Sequence, residues 1–383
     1  MVITIVCDVF GEDTNGTIVA TNNLIKFLKK QGHTIRILSA EQSKAGQENY
    51  FIVPTMNFGK LLNAYVAKVG VSLAKADKEI VKKSLKGADH VHIMLPFSLG
   101  MAAAKIAHEM GISTSAGFHM QAENFTSYIK LNKLKPLNHG VYKFIWKHMY
   151  KYIDGIHYPT KFIRDIFESN IKQKTNGYII SNGVHEYVKK RECNKPEEFK
   201  DKIVILSIGR YAREKSQDTI LKAINYSKYK NKIQVILAGE GVKEKYYKKL
   251  SKNLKIKPIF NLYSRDDLVD IINYADLYVH PAEMELEGIA CLEAIACGKL
   301  TIVSNSKLSA TKDFAIDERC IFEKRNPKDL ARVIDYWIDN PKEKLIYEKQ
   351  YLDNAVIYNQ QDCMKKMEEM ILEIHNEKQK NKA

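Results

Sequence analysis

At 383 residues, 45% hydrophobic and 27% charged, the chain is long enough for two domains and has a globular composition, which excludes a disordered or fibrous protein. Its six cysteines (Cys7, Cys193, Cys291, Cys297, Cys320 and Cys363) make no CxxC pair and no grouping with histidine at metal spacing, so no metal site or disulfide framework is expected and a reducing cytoplasm fits. The formal charge of +15 favours anionic partners, although a Lys-rich composition accounts for it without any partner.

No apolar run approaches the length that spans a bilayer, and Met1-Val2-Ile3-Thr4-Ile5-Val6 lacks the basic region and cleavage site of a signal peptide, so a cytoplasmic protein is expected. Residues 2–6 read as a buried strand, followed by a polar turn from Cys7 to Thr17 that contains Asn15-Gly16. A helix with Ile18, Leu24, Ile25 and Leu28 on one face stops at Gly32, and Thr34 to Leu38 reads as the next strand. Strand, Gly-bearing loop, helix, strand opens a Rossmann-like half, without the G-x-G-x-x-G of a dinucleotide site. His90 to Leu95 and Ser113 to Phe118 are further strands, the second running into His119-Met120-Gln121-Ala122-Glu123-Asn124. His119 thus stands at the carboxyl end of a strand, where open parallel sheets place ligands.

From Ile129 to Ile153, lysines at 130, 133, 135, 143, 147 and 151 alternate with Leu131, Leu134, Leu137, Tyr142, Phe144, Ile145, Trp146, Met149, Tyr150 and Tyr152, with no acidic residue among them. Such a stretch suits an anionic membrane surface, and equally suits a helix that packs its apolar face on the domain with lysines outside. Gly155 to Tyr158 is a strand, and the charged, strand-free segment from His185 to Lys202 reads as a linker.

The second half begins with the buried strand Ile203 to Ile208, which enters Gly209-Arg210-Tyr211-Ala212-Arg213-Glu214-Lys215-Ser216. Gly209 lets the backbone turn close to a ligand, while Arg210 and Lys215 supply cations where a diphosphate needs neutralising. Ile233 to Ala238 ends in Gly239-Glu240-Gly241, a second loop able to approach a nucleotide. Leu277-Tyr278-Val279 is a strand stopped by Pro281, an acidic loop reaches Gly288, and Ile289, Leu292, Ile295 and Ala296 repeat at helical spacing until Gly298. The unpaired backbone N–H groups of Ile289 and Ala290 and the helix dipole favour an oxygen-rich ligand there, with Glu285 in the loop and Glu293 one turn into the helix. A strand from Leu300 to Ser304, a helix around Lys328 to Ile338 and a helix from Cys363 to Ile374 follow, and Glu377 to Ala383 is expected to be disordered.

Glu285, seven residues, then Glu293, with Gly288 between them and Glu-Ala-Ile-Ala-Cys-Gly at 293–298, resembles the E-x7-E signature of retaining nucleotide-sugar glycosyltransferases of family 4. The resemblance runs from about Ile3 to the final helix, and it implies an α/β protein of two Rossmann-like domains facing a cleft, the GT-B fold. The expected layout is an acceptor-side domain at 1–184, a linker at 185–202, a donor-binding domain at 203–358 and a helix with a polar tail at 359–383 that crosses back to the first domain. By the same resemblance, Asn15-Gly16 is similar to the family's Asn-Gly loop, and Ser181-Asn182-Gly183-Val184 to its Asn-Gly-Val at the domain crossing. His119 is implied to contact the transferred sugar or its phosphate. Gly209, Arg210 and Lys215 look like the diphosphate clamp, Gly239 and Gly241 the loop nearing the nucleotide, and Phe260 to Ser264 with Arg265 to Leu268 the loop and helix near the base. Glu293 is implied to accept from the ribose, and Glu285, Gly288 and Ile289 to hold the sugar.

The implied activity is transfer of a hexose from a nucleotide diphosphate sugar, a UDP-sugar favoured, to a membrane lipid or cell-surface glycan, with no metal and no cofactor and no nucleic-acid partner. Peripheral attachment to the inner face of the membrane is expected through 129–153. A soluble acceptor and a catalytically inactive sugar-nucleotide-binding protein are the alternatives. Two departures leave the donor sugar open: Glu287 stands where the family has Phe, and Ala282 where Ser is common.

Overall fold

Buried parallel strands need apolar side chains on both faces, and the chain supplies two sets of such runs. The computed structural model describes residues 1–8, 16–56, 73–128 and 134–382. They form two compact units, Met1–Asn182 with Cys363–Ala383, and Gly183–Asp362.

The first unit holds a seven-stranded parallel sheet built from β1 (Val2–Val6), β2 (Thr34–Ser39), β3 (Tyr50–Ile52), β4 (His90–Ile93), β5 (Ser113–Gly117), β6 (Gly155–Tyr158) and β7 (Gly177–Ile179). Its order is β3-β2-β1-β4-β5-β6-β7, so the direction of winding reverses between β1 and β4. Beside that switch point Asp8, 1% exposed, accepts from the backbone N–H of Leu99 at 3.0 Å and of Gly100 at 3.2 Å, fixing the start of the helix Ser98–Glu109. Burial, opposed by those bonds, pushes its carboxyl up to about 7.

The helix Gln360–Lys380 belongs to this unit from Cys363 onward. Met364, Met367, Met370, Ile371 and Ile374, at helical spacing, are buried in one core with Ile3, Ile5, Leu24 and Leu28. The helix runs past Ile374 because its last turns are anchored: His375 bonds the carbonyl of Asp89 at 3.0 Å and Lys378 the carboxylate of Asp154 at 2.7 Å. The disorder expected from Glu377 onward is therefore corrected to helix as far as Lys380.

The second unit has a six-stranded parallel sheet made of β8 (Ile203–Ile208), β9 (Ile233–Ala238), β10 (Ile259–Asn261), β11 (Leu277–His280), β13 (Thr301–Ser304) and β15 (Ile321–Phe322), ordered β10-β9-β8-β11-β13-β15. Phe260 and Asn261, expected in a loop, pair as its edge strand. A separate parallel pair joins β12 (Met284–Glu285) to β14 (Leu308–Ser309), so the expected acidic loop is pinned through Glu285. Residues 185–202 are not a free linker: Val188 and Phe199 are 5% and 4% exposed in the core of this unit with Val204, Leu206 and Tyr278. Two apolar anchors in a charged segment suffice to hold it down, each worth roughly 2 kcal/mol.

Candidate functional site

In the second sheet the winding reverses between β8 and β11, and ligands of open parallel sheets sit outside the carboxyl ends of the strands at that point. The loops that leave those two strands carry Gly209 to Ser216 and Pro281 to Gly288. Glycine is required where they and the neighbouring loop after β9 come together. Gly239, at φ 150°, would place a Cβ 2.3 Å from the carbonyl oxygen of Gly209, and Gly241, also at φ 150°, one 2.7 Å from that of Tyr211. Backbone bonds from Gly209 N to Ala238 O at 2.9 Å and from Tyr211 N to Glu240 O at 2.7 Å hold the loops side by side.

Lys215 reaches Glu285 across this seam. Its ammonium donates to Glu285 Oε1, which also lies 3.0 Å from His280 Nε2, and His280 Nδ1 lies 3.0 Å from the hydroxyl of Tyr278. Both side chains of the ion pair are mostly buried, at 18% and 13% exposed. Burial alone would raise the Glu285 carboxyl, but the charge of Lys215 and the bond with His280 outweigh it and hold the group down at about 2. The carboxylate is thus ionised at any physiological pH.

A second hub braces the same loops. Glu283 accepts from Ser216 Oγ at 2.6 Å and from Arg325 Nε, while its backbone carbonyl accepts from Ser306 Oγ at 2.6 Å. Ser216 stands at φ 49°, a left-handed conformation that this hydrogen bonding sustains and that turns the chain straight after Lys215.

Gly288 caps the helix Ile289–Ala296 at φ 85°, and a Cβ there would lie 2.5 Å from Thr311 Cγ2, so only glycine fits. Among the described residues no acceptor meets the N–H groups of Ile289 and Ala290; the helix ladder starts with Cys291 N to Gly288 O at 2.8 Å. Glu293, one turn on, is 15% exposed and 3.9 Å from Arg265. Burial pushes its carboxyl up to about 7, against the weaker pull of Arg265. Glu287 is also buried, at 4% exposed.

The structure therefore brings Lys215, Glu285 and the Gly209 and Gly239 loops together in one unit, with Gly241, Gly288, Ile289 and Glu293 on the elements around them. Arg210 does not join the cluster: its guanidinium is 60% exposed and lies 3.6 Å from Glu214. Tyr278, His280, Glu283, Ser216 and Arg325 escaped the sequence reading, although Tyr278 and His280 carry a signal in their period-2 spacing on a strand that ends at the switch point.

Two expected residues lie in the first unit. Gly16 opens the helix Gly16–Lys30, is exposed, has ordinary backbone angles and would meet nothing with a Cβ, so no contact within the described residues demands glycine; Asn15 lies outside them. His119 follows β5 and folds its ring over Gly117, whose Cβ would fall 2.5 Å from His119 Nε2. It meets His157 edge to face at 5.5 Å between ring centres. Burial and then the nearness of His157 and His92 lower its pKa well below the usual range, so the imidazole is neutral. His92 and His90 in turn share Ser115 Oγ, at 2.8 and 2.7 Å.

Within the 129–153 stretch, residues 129–133 lie outside the described residues. The helix Lys135–His148 buries Tyr142 and Ile145 beside Phe118 and Phe167, yet leaves Leu134, Leu137 and Phe144 at 48%, 37% and 52% exposed, with Lys143, Lys147 and Lys151 also exposed. No described helix is long and apolar enough to cross a membrane.

Comparison with known proteins supplies the family. The model described as Glycosyl transferases group 1 matches residues 188–352, and that described as Glycosyltransferase Family 4 matches residues 14–186. The chain is 25% identical over 308 residues to the alpha-monoglucosyldiacylglycerol synthase of Streptococcus pneumoniae, across 76% of this chain and 68% of that protein. It is 24% identical over 307 residues to the protein of the same name from Acholeplasma laidlawii, across 76% of each. In fold it matches the crystal structure of Anabaena HepE in complex with UDP and glucose, with a TM-score of 0.72 at 13% identity over 97% of this chain and 100% of that one.

Proposed function

The chain belongs to the glycosyltransferases of group 1 and family 4, hexosyl-transferring enzymes, and has the GT-B fold; from that premise we propose that it moves a hexose from a nucleotide diphosphate sugar, a UDP-sugar favoured, to a membrane lipid with retention of anomeric configuration. The observation that carries the donor half is the Lys215–Glu285 pair at the switch point of the second unit, between loops whose glycines keep side chains out of the way.

In this reading Lys215 neutralises charge developing on the leaving diphosphate, as electrostatic catalysis requires, and Arg210 adds a second cation from the same loop. The free N–H groups of Ile289 and Ala290 and the dipole of their helix add to that field. Glu285 and the backbone around Gly288 hold the sugar hydroxyls, and Glu293 accepts from the ribose. His119, neutral at the edge of the first sheet, is proposed to contact the transferred sugar or its phosphate. With cations already supplied by the chain, the transfer is proposed to need no metal; turnover unchanged in a chelator is the outcome expected.

Two observations support the lipid acceptor. The relatives from Streptococcus pneumoniae and Acholeplasma laidlawii are named for a glucosyldiacylglycerol product. The helix Lys135–His148 also exposes apolar side chains among lysines even though its inner face is buried, which packing alone does not require. We propose peripheral attachment through that face.

The test is release of nucleotide diphosphate from a panel of UDP-, GDP- and ADP-sugars, with and without anionic liposomes that contain diacylglycerol. Release with one donor, increased by the lipid, is the expected result. Binding without release under any condition would favour a sugar-nucleotide sensor, and no binding of any donor would overturn the proposal.

A further inference from the structure

The two oxygens of Glu285 stand in different situations. Oε1 is held from two sides, by Lys215 and by His280, whereas Oε2 has no hydrogen-bond partner among the described residues. One oxygen is fixed and the other is available. Yet Lys215 has a second task in the donor reading above, because a diphosphate bearing more than one negative charge competes with a single carboxylate for its ammonium. When Lys215 turns to the diphosphate, Oε1 keeps only His280.

The protonation of His280 follows from its neighbours. The ionised Glu285 carboxylate can only accept, so the Nε2 that faces it at 3.0 Å carries hydrogen, which leaves the protonated Tyr278 hydroxyl to donate to Nδ1 of the neutral tautomer. Tyr278 and His280 sit two residues apart on β11, on one side of the strand, and both are 3% exposed or less.

We propose that His280 is a positioning residue of the transfer step: Tyr278 locks its tautomer, and its Nε2–H keeps Glu285 Oε2 aimed at the sugar when Lys215 leaves the carboxylate for the donor diphosphate. The proposal rests on the donor reading for the movement of Lys215. The arrangement in the donor-free protein stands on its own.

The titratable groups around this row are Tyr278 on β11, Glu285 on β12, Lys215 from the loop after β8, and Cys291 and Glu293 from the helix Ile289–Ala296, both of which act on Tyr278. Burial raises the Glu293 carboxyl to about 7 in the unsubstituted protein, so each rate is compared with wild type at the same pH.

Three substitutions and one spectrum test the proposal. In His280→Phe, kcat is expected to fall by about 10- to 100-fold while donor affinity stays near wild type, the cost of a loosened carboxylate. His280→Gln, whose amide N–H can occupy the place of Nε2–H, is expected to recover most of that loss. Tyr278→Phe keeps the shape of the core but frees the tautomer. Its kcat is expected to fall between those of wild type and His280→Phe, because the ionised Glu285 alone still favours hydrogen on Nε2. Equal kcat in His280→Gln and His280→Phe, a loss confined to donor affinity, or a kcat in Tyr278→Phe equal to wild type would each overturn it. Nitrogen-15 imidazole spectra of the donor-free protein provide a readout without turnover: hydrogen on Nε2 of His280 is expected, and hydrogen on Nδ1 overturns the proposal. If no nucleotide sugar is turned over by wild type, the donor reading fails while the spectrum still decides the tautomer.

Discussion

Glu293→Gln offers the sharpest test of the site, because it should strengthen the folded protein and weaken its ligand binding at once. The Glu293 carboxyl, ordinarily at 4.5, is pushed up to about 7 by burial, with Arg265 opposing. Between those values the folded state keeps a proton that the unfolded chain has lost. The stability contributed by the neutral carboxyl is therefore fully present below 4.5 and is lost as the pH rises through about 7. The shift corresponds to about 3 kcal/mol once both states are ionised, with little solvent screening for a side chain 15% exposed. Glutamine has the same shape and nothing to ionise. The protein has two tryptophans, Trp146 in the first unit and the buried Trp337 in the second, so a Trp146→Phe background lets fluorescence follow the second unit alone. In urea, Glu293→Gln should gain ~2–3 kcal/mol over its background at about pH 8.5 and under ~1 kcal/mol at about pH 5. Calorimetry should show weaker donor binding in the same variant. A stability difference that does not change with pH would refute the buried, neutral carboxyl, and unchanged donor affinity would refute the ribose role.

Three other outcomes are expected. Gly239→Ala combines a strained φ of 150° with a Cβ 2.3 Å from the Gly209 carbonyl, so it should spread the two loops and cut donor affinity at least ~10-fold by calorimetry, with loss of ~2 kcal/mol or more in urea. Phe199→Ala should cost the second unit ~3–5 kcal/mol in the Trp337 signal, whereas a free linker would show no change. Replacing Lys143, Lys147 and Lys151 with Glu should release the protein from anionic liposomes in a flotation assay, and continued binding would return the helix Lys135–His148 to a packing role alone.

What could be read from the sequence follows from burial. Gly155–Tyr158, Ile203–Ile208 and Ile233–Ala238 have the expected boundaries because central parallel strands are covered on both faces and leave unbroken apolar runs. The edge strands Tyr50–Ile52 and Ile259–Asn261 are three residues long and half-buried, which leaves no run to recognise. At the site, Lys215 and Glu285 were each named from the sequence, but they are 70 residues apart and nothing local indicates that they touch. Arg210 shows the converse: cation spacing put it in the clamp, and Glu214, four residues on, holds it on the surface in the donor-free protein. His280 is not singled out by the sequence, where the strand is Leu277-Tyr278-Val279 stopped by Pro281, since its importance comes from Tyr278 and Glu285 on either side.

The methionine-rich helix from Cys363 to Lys380 also reverses the usual order of assembly during translation. Domains generally fold as they leave the ribosome, the earlier one first. Here the core around Ile3, Leu24 and Leu28 lacks six of its buried side chains until residues beyond 362 have been made. At roughly 5–20 residues per second, synthesis of Gly183–Asp362 imposes a wait on the order of ten to forty seconds during which the first unit cannot finish. A chain ended after Asp362 and released is thus expected to display one protease-resistant unit, the later-made one, with the open sheet of the earlier one as a ready substrate for chaperones.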